Sequence, residues 1–328
     1  MAKARAKTDR KTDHKTDHKT DHRPDQKTAP RELVTILDFI RYAITRFVEA
    51  KLAFGQGTSD AAEEAIFLVA ETLGLPIDRV DPFLPARLAP AERRRLFALI
   101  EKRLRSRVPA AYLLNCAYLQ GLPFYIDERV IVPRSYLAEL LYGDLFGGEG
   151  ALVDAAAVTR VLDLCTGSGC LAVLACRVFP NAHVDAIDLS KDALQVAAIN
   201  VAKHGLQERI TLLQGDLFAP SGEAIYDVIL ANPPYVAAKS LAKLPAEYAC
   251  EPRSALAGGA DGLDIVRRIL AEAGAHLRAR GGLLCEIGRG RAILERDYPD
   301  KDFLWLDTAE SEGEVFWLTA KALRRPAR

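Results

Sequence analysis

The chain lacks any excess charge, since 44 basic residues balance 44 acidic ones over 328 positions. A balanced surface offers no bulk attraction to nucleic acid or to an anionic membrane, so any such contact must be local. Apolar runs approaching the roughly 20 residues that span a bilayer are missing too. The first residues are polar and charged rather than a hydrophobic leader. These absences predict a soluble, cytoplasmic protein without membrane contact. No two cysteines have C-x-x-C spacing, and Cys116, Cys165, Cys170, Cys176, Cys250 and Cys285 fall mostly inside apolar runs. That excludes a zinc frame of the usual spacing and reads as buried thiols in a reducing compartment.

Between Lys7 and His22 there is no apolar residue at all, only repeats of Lys-Thr-Asp-His or a close variant. Such a segment has nothing to bury, so residues 1–30 read as a charged, low-complexity, disordered tail. On a helix His14, His18 and His22 would share one face and could hold a metal. Thr and Asp disfavour that helix, and no metal is expected.

What the chain does have is apolar content, 49% of its residues, over a length too great for one compact core. From Arg31 the pattern is helical: Leu33, Ile36, Leu37, Ile40, Phe47 and Val48 recur at threes and fours until Gly55 and Gly57. Asp60 with Glu63 resembles a capping pair for a second helix that carries Ile66, Phe67 and Val69 and closes near Gly74. A third runs from Pro90 to about Arg107, with Leu96, Leu99, Ile100 and Leu104 on one side and Arg93, Arg94, Lys102, Arg103 and Arg105 around it. Residues 31–110 thus predict a helical bundle, expected to serve substrate recognition. Its arginine face has two readings, a solvated surface or a place for a partner. Across residues 111–135, short apolar and aromatic pieces around Gly121, Pro123 and Asp127 predict a β-hairpin linker.

Residues 136–328 alternate strand and helix: Val161 to Leu164, a helix from Cys170, His183 to Ile187, a helix from Ser190, Ile210 to Leu213, and Tyr226 to Ala231. Further strands are expected at Gly282 to Ile287, Phe303 to Leu306 and Val315 to Leu318, the last two pairing as an antiparallel edge. The fold class is therefore α/β, a largely parallel sheet covered by helices on both faces.

Val161-Leu-Asp-Leu-Cys-Thr-Gly-Ser-Gly-Cys170 is a strand entering a turn where Gly167 and Gly169 allow close backbone approach to a ligand. The helix that follows offers free N–H groups at its positive end. Gly167-x-Gly169-x-x-Ala172 also satisfies the dinucleotide fingerprint, so a nicotinamide enzyme stays in play at this point. Asp188 ends the second strand, where a carboxylate can accept from both hydroxyls of an adenosine ribose. Asp216, in Gly215-Asp-Leu-Phe218, can take an adenine amino group while Leu217 or Phe218 packs on the ring. Singly, Asp188 could be a helix cap and Asp216 a turn former. Together at successive strand ends, they point to an adenosine-containing ligand.

The fourth strand ends in Asn232-Pro233-Pro234-Tyr235. Two prolines could merely stop a strand, with Asn232 capping locally. The chemical reading starts from an amide nitrogen, a poor nucleophile because its lone pair is delocalised into the carbonyl. The Asn232 side-chain oxygen and the Pro233 carbonyl can each take one hydrogen of an NH₂ group and turn the nitrogen toward an electrophile. Tyr235 can cover the planar face and exclude water. Neither a strong base nor a metal is needed, because substitution makes the nitrogen acidic.

Gly-Ser-Gly after the first strand with Asn-Pro-Pro-Tyr after the fourth resembles the seven-strand, Rossmann-like, class I S-adenosylmethionine-dependent methyltransferases that act on planar NH₂ groups. A helical module, a hairpin and Val130-Ile-Val-Pro-Arg-Ser135 ahead of that domain are similar to the HemK-like protein-glutamine methyltransferases, over about Leu33 to Leu318. Asp163-Leu-Cys-Thr-Gly-Ser-Gly-Cys170, Tyr112-Leu-Leu-Asn115 and Leu244-Pro-x-Glu-Tyr248 are more similar to the ribosomal-protein branch than to the release-factor branch. The resemblance implies S-adenosylmethionine as cofactor and a glutamine of large-subunit ribosomal protein three as substrate, free or in an assembling particle, with room for a local contact to ribosomal RNA. It implies cofactor binding by Asp163, Thr166, Gly167, Gly169, Asp188, Asp216, Leu217 and Asn232. Amide binding falls to Asn232, Pro233, Pro234 and Tyr235, with Glu251 and Pro252 in a substrate-side loop; catalysis rests on Asn232, Pro233 and Tyr235. Two positions depart from the family pattern: Cys250 stands where a histidine is expected, and Tyr136-Leu137 where Pro-Ile is. Rival readings are the same chemistry on the Gly-Gly-Gln loop of release factors, adenine methylation of nucleic acid, and a non-catalytic assembly factor that uses the bundle's arginines on RNA.

Overall fold

A computed structural model describes residues 31–147 and 150–325, and the Lys-Thr-Asp-His repeat with its histidines lies outside that range. The N-terminal module is helical as its periodicity predicts. Helix α1 (Ile36–Glu49) starts with a reciprocal cap, the Thr35 hydroxyl accepting from the Asp38 N–H and the Asp38 carboxylate from the Thr35 N–H. Helix α2 (Ala61–Leu73) is capped by Asp60, which accepts from the Ala62 and Glu63 N–H groups, and ends at left-handed Gly74. The expected Asp60/Glu63 box is only half formed, because the Glu63 carboxylate takes the Ser59 N–H instead. Helix α3 (Pro90–Ser106) begins on a proline, whose missing N–H has no role in the first turn. Short α4 (Ala110–Leu114) leads to the hairpin of β1 (Cys116–Leu119) and β2 (Leu122–Tyr125).

Helix α5 (Tyr136–Tyr142), one turn too short to show a period, opens the larger domain. There follow β3 (Arg160–Leu164), α6 (Cys170–Val178), β4 (His183–Asp188), α7 (Lys191–Lys203), β5 (Ile210–Gln214), β6 (Tyr226–Ala231), α8 (Ala238–Leu241), α9 (Asp264–Glu272), β7 (Leu277–Glu286), α10 (Arg291–Asp297), β8 (Leu304–Leu306), β9 (Val315–Thr319) and α11 (Ala320–Arg324). The sheet order is β5-β4-β3-β6-β7-β9-β8; the first five strands are parallel, and β9 runs antiparallel between β7 and β8. This is the predicted α/β class with its antiparallel edge. Strand β7 starts at Leu277, before the expected Gly282, because Leu277 pairs with Tyr226 across an irregular register.

Successive residues of the strands bury on opposite faces. Val161, Val184, Leu284 and Trp317 join one core with Val173 of α6, while Leu162, Ile229, Leu283 and Phe316 join another with Val266 of α9. The bundle core is continuous with this domain, since Ala193 and Val196 of α7 belong to the same buried cluster as Phe39, Leu68 and Leu96, with Ile126, Val130 and Val132 also in it.

Charge ties the two modules as well. Arg103 on α3 is fully buried; it pairs with Glu64 of α2 and stands 3.9 Å from Glu247, in the loop after α8. Arg107 completes the group, 2.6 Å from Glu247. The Glu247 carboxylate also accepts the Ala53 N–H, and its carbonyl accepts from the Gln56 amide. Removing one member strands an uncompensated charge in a dry site.

Asp163 shows where a cofactor expectation gives way. It is buried beneath the loop after β3, takes the Thr166 hydroxyl at 2.5 Å, and does not line a cavity. At that depth the carboxylate shapes the turn above it through Thr166. Burial pushes its pKa from the ordinary 3.8 up to about 7, with the Thr166 hydrogen bond opposing.

Two outcomes are expected. Arg103→Met lowers unfolding free energy by about 3–5 kcal/mol, seen as a fall in urea midpoint at constant slope, and Arg103→Met with Glu64→Leu recovers much of that loss; a single-variant loss below about 1 kcal/mol would refute the network's role. For Asp163 the raised pKa means the folded state favours the neutral acid. Its stabilising contribution is full below pH 3.8 and is lost as pH rises through about 7. Uncharged Asp163→Asn should therefore gain on the parent in denaturation curves between pH 4 and pH 7, and a pH-independent difference would contradict this.

Candidate active site

The loops at the carboxyl ends of β3, β4, β5 and β6 line one cavity of about 400 Å³, within the range of small-ligand clefts. Its geometry begins with an unusual turn: Cys165, Gly167 and Gly169 all have positive φ, at 58°, 55° and 79°. The turn exposes the Gly167 N–H, which donates to the Asp188 carboxylate at 2.8 Å. The other Asp188 oxygen accepts the Ser190 N–H at 2.8 Å, just before α7. Asp188 thus shapes two loops at once, and each oxygen keeps a second lone pair for a ribose hydroxyl. Burial raises its pKa against these backbone hydrogen bonds.

Of the residues expected to bind cofactor, Thr166, Gly167, Asp188, Asp216, Leu217 and Asn232 line this cavity. Gly169 does not. It precedes α6, and a Cβ there would lie 3.1 Å from that of Ala197, so its lack of a side chain serves the α6–α7 contact. Asp216 pairs with Arg268 at 2.8 Å and is half exposed. Leu217 holds φ +47° and faces the cavity, whereas Phe218 lies outside it, stacked on His276. Leu189 was missed by sequence reasoning; it lines the cavity and is otherwise exposed. Its place directly after a strand-end carboxylate was the available signal.

A second cavity of about 210 Å³ contains Pro233, Tyr235, Leu244 and Tyr248. It shares Ile131, Arg134, Asn232 and Ala255 with the first. Pro234 lines the larger cavity and Pro233 the smaller, so the tetrapeptide forms the partition between them. Among the described residues no hydrogen bond engages the Asn232 carboxamide or the Pro233 carbonyl.

That partition is held by its neighbours' backbone. Val236 N–H donates to Leu256 at 2.8 Å and Gly258 N–H to Val236 at 3.0 Å. A Cβ on Gly258 would meet the Pro234 carbonyl at 2.7 Å, and one on Gly262 the Tyr235 carbonyl at 2.4 Å, so only glycine lets this loop lie against the tetrapeptide. The Tyr235 hydroxyl donates to Glu286 at 2.7 Å.

The substrate-side loop divides. Pro252 lines the larger cavity, but Glu251 lines neither. Its buried carboxylate instead takes both ends of the Arg134 guanidinium, at 2.5 and 2.6 Å. Its Oε1 also accepts the Val132 N–H at 3.3 Å, so both oxygens are engaged inside the protein and Glu251 bears on the cavities through Arg134. The segment carrying Arg134 is anchored from below. Asn200 of α7 accepts the Tyr125 N–H and donates to the Tyr125 and Ser168 carbonyls, clamping the hairpin onto the glycine turn. The two departures from the family pattern, Cys250 and Tyr136-Leu137, lie outside both cavities.

Residues 151–250 match the family described as Methyltransferase small domain. A ribosomal protein uL3 glutamine methyltransferase of Bradyrhizobium diazoefficiens is 57% identical over 301 residues, covering 90% of this chain and 94% of that one. Its counterpart in Burkholderia pseudomallei is 52% identical over 303 residues, covering 90% and 98%. Among solved structures, a methyltransferase from Pyrococcus furiosus aligns with 62% of this chain and 90% of its own at 16% identity and TM-score 0.46. Identity above half along nearly the full length of both chains settles descent: the protein belongs to the ribosomal protein uL3 glutamine methyltransferase family.

Proposed function

We propose that the chain transfers a methyl group from S-adenosylmethionine to the side-chain amide nitrogen of a glutamine in ribosomal protein uL3. The observation that carries the chemistry is the pair of uncommitted acceptors, the Asn232 carboxamide oxygen and the Pro233 carbonyl, where the two cavities meet. The activity for which the relatives are named supports uL3 over release factors and over adenine in nucleic acid.

The larger cavity fits the donor by its volume, the exposed backbone of its glycine turn and the spare lone pairs of Asp188. Asp188 is suited to the ribose diol, Asp216 and Leu217 to the adenine, and Thr166 and Gly167 to the remainder. S-adenosylmethionine supplies an electrophilic methyl on a positive sulfur. The protein's part is to make an amide nitrogen attack it. Asn232 and Pro233 each accept one N–H hydrogen, which draws electron density onto nitrogen and fixes its direction. Tyr235 covers the carboxamide, and the prolines stop the acceptors from turning away. The proton leaves after transfer, when the nitrogen has become acidic.

We further propose that the enzyme meets uL3 on an assembling ribosomal particle, with RNA lying along α3. Arg94, Arg95, Lys102 and Arg105 are exposed on that helix, and none has an ion-pair partner among the described residues. The buried face of α3 carries Arg103, which with Arg107 holds the Glu247 loop of the smaller cavity.

With labelled donor, purified uL3 should gain one methyl on a single glutamine-bearing peptide; label on release factor alone would reassign the substrate, and label on neither would end the proposal. Asn232→Ala should lower turnover by about 10²–10³-fold with far less change in S-adenosylhomocysteine affinity, whereas retained turnover would contradict the acceptor role. For RNA, replacing the four α3 cations by alanine should weaken binding to a ribosomal RNA fragment and flatten its salt dependence by roughly one unit per cation, leaving methylation of free uL3 intact. Unchanged RNA affinity would refute the contact.

A further inference from the structure

Glu286 closes β7, beside the strand that delivers Asn232; Ala231 pairs with Cys285, so Glu286 and Asn232 leave the sheet at the same level. Its side chain is completely buried. The carboxylate is met by neutral donors: the Tyr235 hydroxyl at 2.7 Å on one oxygen, and the Ser135 hydroxyl at 2.7 Å and Tyr136 N–H at 3.0 Å on the other. Burial raises its pKa and these hydrogen bonds oppose the rise. A carboxylate buried among neutral groups is a poor way to stabilise a fold, since an apolar side chain of similar size would pack there without desolvation.

The identity of the three donors gives the site its meaning. Ser135 lines the larger cavity and Tyr235 the smaller, so the two oxygens of one carboxylate reach the walls of both. Ser135 at the same time accepts the Leu137 N–H and begins α5, which makes it a fixed post. The Tyr235 ring is seated from the other side by Gly288, where a Cβ would come within 2.8 Å of Cδ2. Ring and hydroxyl are thus held at two points, and the ring's tilt is determined.

We infer that Glu286 is a positioning residue for the methyl acceptor: by gripping the Tyr235 hydroxyl with one oxygen and Ser135 with the other, it sets the plane of the Tyr235 ring against the flat carboxamide held by Asn232 and Pro233. This rests on the reading of the smaller cavity as the amide site. A carboxamide is planar, so a ring turned away from that plane admits water and lets the nitrogen drift from the donor. A misplacement near 1 Å costs about 100-fold in rate.

Glu286→Gln preserves shape but leaves one acceptor oxygen where two are used, so with its oxygen on Ser135 and the Tyr136 N–H it no longer accepts from the Tyr235 hydroxyl, while Tyr235→Phe keeps the ring and loses only the hydroxyl. Each should lower kcat on uL3 by about 10–100-fold, with the Kd for S-adenosylhomocysteine within about twofold of the parent. The double variant should lose no more than the worse single, because both break one contact. Parent turnover on uL3, measured alongside, tests the function itself. A crystal structure of Glu286→Gln with S-adenosylhomocysteine tests the inference without turnover and is expected to show the Tyr235 ring rotated off Gly288. A ring still seated on Gly288, single variants within twofold of parent kcat, additive losses, or weakened S-adenosylhomocysteine binding that accounts for the rate loss would each overturn it.

Discussion

Two oxygen atoms must be left without partners and yet be held still. That constraint at the end of β6 governs the surrounding architecture under the proposed reaction, because each acceptor must keep a lone pair and a clear approach for one hydrogen of the amide. The tetrapeptide is therefore fixed through every group except the ones it needs: Val236 bonds to Leu256, Gly258 and Gly262 lie against the Pro234 and Tyr235 backbone, and Tyr235 anchors through its hydroxyl. Glycines are concentrated in residues 257–262 for this reason, and not because the loop is a flexible link.

A second layer of the same constraint is electrostatic. The loop that carries Tyr248 is bound to the helical bundle by the Glu64, Arg103, Glu247 and Arg107 group, and the segment before α5 by Arg134 and Glu251. Buried ion pairs contribute little net stability compared with apolar packing, but they are intolerant of sliding. Used here at the junction of two modules, they give the acceptor cavity walls that come from distant parts of the chain and still meet in register.

Much of this was legible in the sequence where the signal is local. Short apolar runs alternating with helical segments located the central strands, with Tyr226–Ala231 placed to the residue, and the caps and breakers bounded the first three helices. Helices α4, α5, α8, α9, α10 and α11 escaped: all but α9 have two turns or fewer and show no period, and α9 is only nine residues long. At the site, residues that touch the cavities were found through their strand-end positions. Asp163, Gly169 and Glu251 lie outside both cavities, a distinction hidden in the sequence because a motif records residues that shape a loop and residues that line a cavity in the same letters. Glu286 and Arg134 were hidden for the opposite reason: their partners lie 151 and 117 residues away along the chain, and no local pattern encodes such a distance.

Asn200 has one further bearing on how the molecule responds as a whole. One carboxamide joins the hairpin at Tyr125 to the glycine turn at Ser168, so neither segment can loosen alone. Whatever quiets the turn also quiets the hairpin, and thermodynamic reciprocity makes the traffic run both ways.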